Sequence, residues 1–442
     1  MADSVDGGAG NDHHSGRLAQ GRCTLQIWLD GRWQTAGEVR CDDDRAGFGS
    51  PATFEYDFDY LDANGEHLEA TDHRAVSCRY PVGYQAHAEE RWPAFLLDVI
   101  PSGAARRAWE KELGLPNNAS SDWAVLTRGG TNPPGNVRVA SSEPDPPPHP
   151  GFARDEVLER AEGFLEYARR AGASIAGGSG AGGDAPKFLL REDIDGRFHA
   201  DGALADERTA RCWIVKFSRS MHARDRLVLE AEAPYLELAR QLGLRVGAKL
   251  TWDRDCLFIP RFDRVVAGAP ILRCGLESLS SLAGVSDFGA STPKEALARA
   301  LARAVDDPAT ELLELLKRDV ADVALGNTDN HARNTAVLKD PRAGVALAPV
   351  YDLAPMVLDP QGIVRVCRWA AEDDGYPRWA EVVDVLAPLG LDAAAARAWL
   401  REIAAVVGEL PHTMRDLGVP DDVRGALANR TARVARSLEA IR

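Results

Sequence analysis

Nowhere does the chain approach 18 consecutive apolar residues, so no membrane span is expected. The stretch Met1 to Gln20 lacks the apolar core of a secretory leader and is rich in Gly, Asp and His, which predicts a disordered tail. Paired cysteines are also missing. The seven cysteines (Cys23, Cys41, Cys78, Cys212, Cys256, Cys274 and Cys367) are odd in number, scattered and never spaced C-x-x-C. That argues against a disulfide framework or a cysteine zinc site and fits reduced thiols in a cytoplasmic protein. Basic charge is in deficit: 52 Lys+Arg against 67 Asp+Glu leave a net charge of −15. General coating of nucleic acid by such a surface is disfavoured, although a local basic patch remains open. No internal repeat is visible. What remains is a chain of 442 residues, 45% hydrophobic and 27% charged, long enough for two or three globular domains.

The order of elements follows from periodicity and punctuation. Leu25, Ile27 and Leu29 alternate before Asp30-Gly31, a hairpin signal. Thr53 to Leu61 reads as a second strand, with Phe54, Tyr56, Phe58 and Tyr60 at period two, and Asp62 to Gly65 turns the chain. Pro93 to Leu115 is helical in period. A proline cluster from Pro133 to Pro150 sets a boundary near residue 150. Beyond it come an amphipathic helix over Arg154–Ala171 and strands over Lys187–Glu192, Arg197–Ala200 and Arg211–Phe217. A helix over Leu227–Leu242 follows, stopped by Gly243. Strands over Val246–Trp252 and Cys256–Phe262 complete this β-rich part. After Val265 the pattern is helical except for a strand pair at Thr335–Leu338 and Val345–Val350. The class is α+β, with the two-lobed plan of a protein kinase. The expected divisions are a tail over 1–20, an accessory α+β unit over 21–150, a β-rich lobe over 151–264 and a helical lobe over 265–442.

The stretch Gly326-Asn327-Thr328-Asp329-Asn330-His331-Ala332-Arg333-Asn334 carries the most chemistry. Asp329 and Asn334 stand five apart on a loop between a helix and a strand, the interval of the kinase catalytic loop. An aspartate there meets an incoming hydroxyl, while the asparagine oxygen faces the metal that holds the phosphates. Asp352 follows Asn334 by 18 residues, past another strand, where a second magnesium ligand is needed. By themselves Asp329, His331 and Asn334 also fit a hydrogen-bonded turn or a nuclease-like metal site; the strand placement and Asp352 favour the kinase geometry. His331 alone builds no transition-metal site and is expected to buttress the loop.

Gly177 to Gly183 holds five glycines in seven positions, and Gly178, Gly180 and Gly183 match G-x-G-x-x-G. A dinucleotide fold needs a strand before and a helix after this motif, and the order here is reversed. The alternatives left are a phosphate-wrapping loop and a plain Gly/Ser linker. Lys216 lies among apolar residues in a strand, as a phosphate-contacting lysine does, and Glu230 or Glu232 on the next helix would pair with it, Glu232 being preferred. Arg261-Phe262-Asp263 marks the junction of the lobes, where an adenine ring would be gripped.

Taken in order, these stations resemble the HipA family of bacterial toxin serine/threonine kinases. The resemblance runs from about residue 24 to beyond 380. It includes Gly31-Arg32-Trp33, Phe95-Leu96-Leu97, Ile100-Pro101-Ser102-Gly103, Gly182-Gly183-Asp184-Ala185-Pro186-Lys187, Phe262-Asp263-Arg264, Gly326–Asn334 and Tyr351-Asp352-Leu353-Ala354. It implies a kinase that uses ATP and Mg2+, with Asp329 as catalytic base, Asn334 and Asp352 as metal ligands, and Lys216 on the phosphates. Gly178, Gly180, Gly182, Gly183 and Lys187 would complete the phosphate site, and Arg261, Phe262 and Asp263 the nucleotide site. It also implies a small DNA-binding antitoxin of helix-turn-helix type and a protein substrate in the translation machinery; from the net charge of −15, little DNA contact by this chain itself is expected. Two departures stand out: the glycine loop is long, and Pro260 replaces an acidic residue. Autophosphorylation of a loop serine is implied as well. Counting back from Lys187 without gaps falls on Gly180, one residue after Ser179, whereas the local text favours Ser174 with an insertion in the loop; both serines are candidates. A small-molecule kinase and a nucleotide-binding pseudokinase acting as corepressor are the alternative functions.

Overall fold

The computed structural model describes residues 20–141, 149–160, 162–170, 174–175 and 185–441. Asp30 and Gly31 both take positive φ (+51° and +76°), the backbone twist that closes a two-residue hairpin between Gly21–Leu29 and Arg32–Cys41. Leu25 and Ile27 are fully buried on the inner face. These strands belong to a five-stranded antiparallel sheet in the order His87–Glu89, Ala52–Tyr56, Arg32–Cys41, Gly21–Leu29, Val137–Val139. The strand expected over Thr53–Leu61 stops at Tyr56. The Asp57 carboxylate accepts N–H bonds from Asp59 (2.9 Å) and Tyr60 (3.3 Å) and starts the helix Phe58–Ala63. An N-cap satisfies helix donors that a strand would pair elsewhere, so it overrides the period-two pattern. Phe58 is consequently 78% exposed, while Tyr60 remains in the core.

The β-rich middle contains a six-stranded sheet. Its main path runs Thr251–Asp253, Cys256–Pro260, Thr209–Phe217, Lys187–Asp193, Ser174–Ile175, with Phe198–Ala200 paired to Lys187–Asp193. The single helix expected over Arg154–Ala171 is two, Arg154–Leu158 and Glu162–Arg170, separated at Arg160, whose φ is +52°. Phe164 and Ala168 bury into the same cluster as Phe188, Phe217 and Phe258. The strand expected from Val246 shortens to Thr251–Asp253, because Val246 bridges in parallel to Val350 rather than to its own hairpin. The helix Ala223–Gln241 covers the sheet and ends before Gly243 at φ +73°.

The remainder is mainly helical, with long helices Lys294–Ala304, Pro308–Ala324, Ala393–Asp416 and Asp421–Glu439 around one apolar cluster. The expected strand pair has a third member, Gly275–Ser278, which pairs with Ala336–Asp340; that strand in turn pairs with Gly344–Leu347. Its Glu277 is buried and accepts bonds from Cys78 N–H (2.8 Å) and the Ser281 hydroxyl (2.7 Å). A buried carboxylate in so short a strand masks the usual hydrophobic signal. Lys339 donates to Ala75 O (2.8 Å), so the first sheet's unit docks directly on this hairpin. Among the described residues no helix is long and apolar enough to cross a membrane.

Candidate active site

Two neighbouring strands of the six-stranded sheet bring Lys187 and Lys216 directly opposite each other. Like charges in that position repel. The carboxylates that resolve the conflict arrive from elsewhere in the chain. Lys216 Nζ donates to Glu232 Oε1 (2.7 Å) and Oε2 (2.8 Å) from the helix Ala223–Gln241, and to Asp352 Oδ1. Lys187 Nζ reaches Asp352 Oδ2 at 3.1 Å. Burial alone would raise Asp352, but the two lysines outweigh it and hold its carboxyl far below the usual range. Burial would lower Lys216, yet Asp352 and Glu232 carry it above its ordinary value. Burial keeps Glu232 raised and Lys187 lowered in spite of their partners. Asp352 itself takes φ +54°, a left-handed backbone that aspartate tolerates better than most residues.

The loop bearing Asp329 begins where the helix Pro308–Ala324 ends. Gly326 has φ +67°, and a Cβ there would stand 2.6 Å from Leu427 Cδ2 and 2.9 Å from Val357 Cγ1, so only glycine turns the chain here. Side chains pin the loop from below: Asn327 Nδ2 donates to Asp322 Oδ1 (2.8 Å) and Asn330 Nδ2 to Cys367 O (2.6 Å). His331 Nδ1 accepts from Arg333 N–H (3.2 Å) and caps the short turn Ala332–Asn334. Burial, with the Arg333 charge, pushes His331 down to about 3, so it is neutral with its proton on Nε2, the nitrogen facing Asp329 Oδ1 at 3.6 Å. Burial, with the Asp352 charge, raises Asp329 to about 7. Asn334 Nδ2 donates to the Asp329 carbonyl (2.9 Å), while its Oδ1 is buried without a partner among the described residues.

A cavity of about 170 Å³ lies between the sheet and the helical lobe. Ile214, Ile259, Leu276 and Ala336 supply apolar walls, and Lys187, Lys216 and Asp352 a charged end. Val99, Ile100 and Pro101 close one side from the N-terminal unit. Phe262 also lines it, its ring 5.9 Å from that of Tyr351. Arg261 and Asp263 border the cavity, but their charged groups are engaged in a buried network. Arg261 Nη2 meets Asp263 Oδ2 at 2.6 Å and its Nη1 meets Asp201 Oδ2 at 2.9 Å; Arg264 Nη1 meets Asp263 Oδ2 at 2.8 Å. Burial would raise Asp263, and the arginines instead hold it well below the carboxylate range.

The structure therefore draws Asp329, His331, Asn334, Asp352, Lys187, Lys216 and Glu232 into one region. Gly178, Ser179, Gly180, Gly182 and Gly183 lie outside the described residues. Ser174 is described as backbone only, in a strand opposite Phe188. Asn334 Oδ1 and the Asp352 carboxylate are the oxygens that could hold a metal, and no group of three or more His, Cys, Asp and Glu side chains gathers to do so among the described residues. Arg333 and Asp98 also line the cavity, and sequence reasoning singled out neither. Arg333 adjoins Asn334 in the sequence, a position that could have marked it; nothing local marks Asp98.

A β-rich lobe carrying a buried lysine–glutamate pair, set on a helical lobe with this loop, defines an α+β protein-kinase-like fold. Residues 179–410 match the HipA-like C-terminal domain and residues 25–140 the HipA N-terminal domain. The chain belongs to the HipA family. It is similar to two proteins of Sinorhizobium fredii (strain NBRC 101917 / NGR234) that carry a kinase name, Y4mE and Y4dM. Identity to Y4mE is 26% over 396 residues, 83% of this chain and 87% of the relative. Identity to Y4dM is 25% over 279 residues, 59% and 61% respectively. Among solved structures, the Shewanella oneidensis MR-1 toxin–antitoxin complex of HipA, HipB and operator DNA contains a chain with the same fold. It matches with TM-score 0.62 and 18% identity over 94% of this chain and 96% of that one.

Proposed function

We propose that this protein is an ATP- and magnesium-dependent serine/threonine protein kinase that acts as a growth-inhibiting toxin and is neutralised by a small DNA-binding antitoxin. The observation that carries the enzymatic part is Lys216 held between Glu232 and Asp352, in the site that also contains Asp329 and the orphaned Asn334 oxygen. Magnesium bound with a nucleotide needs few protein ligands, and Asn334 Oδ1 with Asp352 fits that requirement. The ion would neutralise charge on the phosphates. Lys216 and Lys187 orient those phosphates, and the apolar cavity takes the base. Asp329 accepts the proton of the attacking hydroxyl, whose oxygen bonds to the γ-phosphorus while ADP leaves. Most of the acceleration comes from positioning and charge, because phosphoryl transfer asks little covalent help from the protein.

Phosphoproteomics after brief expression, comparing wild type with Asp329→Asn, tests this. New phosphoserine or phosphothreonine on a cellular protein, absent with the variant, is the expected result. Equal phosphorylation by both chains overturns the role of Asp329, and label confined to small metabolites indicates a small-molecule kinase. The antitoxin partner rests on family membership. Net charge does not decide whether this chain touches DNA in such a complex, because a local basic patch suffices; the salt dependence of duplex binding by the isolated chain decides it. Autophosphorylation at Ser174 or Ser179 would place about −1.5 to −2 charge beside the nucleotide phosphates and switch the kinase off. Peptide mapping after incubation with ATP and magnesium identifies the residue.

A further inference from the structure

Arg333 stands immediately before Asn334, yet its side chain leaves the helical lobe. Its Nη2 donates to the Leu97 carbonyl (2.6 Å), and its Nε lies 3.6 Å from Asp98 Oδ1. Both acceptors belong to Leu96–Val99, a one-turn helix of the N-terminal unit. The carbonyls at the end of a helix lack intrahelical partners, so the guanidinium satisfies an acceptor that would otherwise be buried unpaired. Phe288 backs the cation from the other side, 4.4 Å from ring centroid to guanidinium carbon. Asp98 is fastened in turn, its Oδ2 accepting from Ser278 N–H (2.8 Å) in the strand that pairs with the one following the catalytic loop. The backbone of the same residue is also tied: Arg333 N–H donates to His331 Nδ1 (3.2 Å) and the Arg333 carbonyl accepts from Tyr351 Oη (2.8 Å). Apart from the Ser278 bond, which fastens Asp98, these contacts converge on Arg333, the residue immediately before Asn334.

We propose that Arg333 is a positioning residue, and that through Leu97 and Asp98 the N-terminal unit sets the angle at which the loop presents Asn334 and Asp329. This rests on the kinase activity proposed above. A buried guanidinium with a single close acceptor holds one geometry, because moving it strands both the charge and the Leu97 carbonyl. The accessory unit is then part of the catalytic machinery of the lobe it docks on: besides walling the cavity, where Asp98 and Arg333 both stand, it acts through the loop. Nε and Nη1 make no hydrogen bond among the described residues, so the Leu97 bond and the Asp98 ion pair carry the anchor.

The test uses the full chain, with magnesium titrations of kcat, binding of ATP with and without magnesium, and a denaturant unfolding curve for each variant. Arg333→Met is expected to lower kcat and weaken magnesium half-saturation by about 10- to 100-fold, the range for groups that orient metal ligands, and by more than it weakens magnesium-free ATP binding, which it can touch only as one wall of the cavity. Arg333→Lys keeps a cation and a donor for the Leu97 carbonyl and is expected to recover most of the loss; Asp98→Asn is expected to shift the same parameters less. Wild-type kcat and magnesium dependence in Arg333→Met overturn the proposal. So does a loss that follows a lowered unfolding midpoint and is not recovered by lysine, because that is a merely structural role. A wild-type chain that neither binds nor turns over magnesium-ATP refutes the kinase activity itself, a result distinguishable from both.

Discussion

Lys187 and Lys216 face each other across adjacent antiparallel strands, and both ammonium groups bond the single carboxylate of Asp352. With Glu232 the four side chains form a neutral cluster in which the lysines and Glu232 are buried and Asp352 is partly buried. Removing one member leaves an uncompensated charge, which is more damaging than the loss of one contact.

Asp352→Asn is therefore expected to destabilise the nucleotide-free protein by about 3 kcal/mol, read from urea unfolding. It should also abolish the gain in ATP affinity that magnesium brings, read by calorimetry. Equal magnesium-dependent affinity in both proteins would count against Asp352 as a metal ligand.

Lys216→Met and Glu232→Gln should separate phosphate contact from lysine orientation. The first removes a cation from the phosphates and should cut kcat by about 100-fold or more. The second leaves Lys216 bonded to Asp352 and should reduce kcat by about tenfold, through a lysine less firmly held. Identical losses would mean that Glu232 does more than orient its partner.

Asp329, raised to about 7, predicts an acid limb in the pH–rate profile. The base must be ionised, so kcat is expected to fall as pH drops through 7, with no such limb in the residual activity of Asp329→Asn. Linkage gives the matching stability effect. A carboxyl raised in the folded state favours folding below its unfolded value, and this contribution is lost as pH rises through about 7. Asp329→Asn should thus stabilise the fold at pH 8, by on the order of 2 kcal/mol, and have little effect at pH 4.

Gly326→Ala should displace the turn into the Asp329 loop. A side chain is strained at φ +67° and would collide with Leu427 and Val357. A stability loss of about 2 kcal/mol in denaturant unfolding is expected, with a larger fall in kcat than in ATP affinity.

Much of the site was legible because its chemistry is written in short segments. Asp329, His331 and Asn334 occur within one turn-forming run, and Gly326 marks its start. The Asp30-Gly31 hairpin and the helix ending at Gly243 were likewise legible, since their turn residues adopt the positive φ that their types favour. The misread elements share a different cause. Phe54 to Tyr60 alternates like a strand, but the Asp57 cap starts a helix after Tyr56. Gly275–Ser278 hides its strand because Glu277 is buried against Cys78 and Ser281.

Local sequence, then, determined which residues turn, cap and alternate, because those preferences act within a few positions along the chain. Contacts across long separations were decided by the tertiary structure alone. Glu232 was preferred from the sequence as the partner of Lys216, and the structure pairs them, but the convergence of two lysines on Asp352 and the anchoring of Arg333 by Leu97 and Asp98 belong to this second group. Neither has a signature in its own segment. Each arises because packing of the lobes leaves a buried charge that only a group from another element can neutralise.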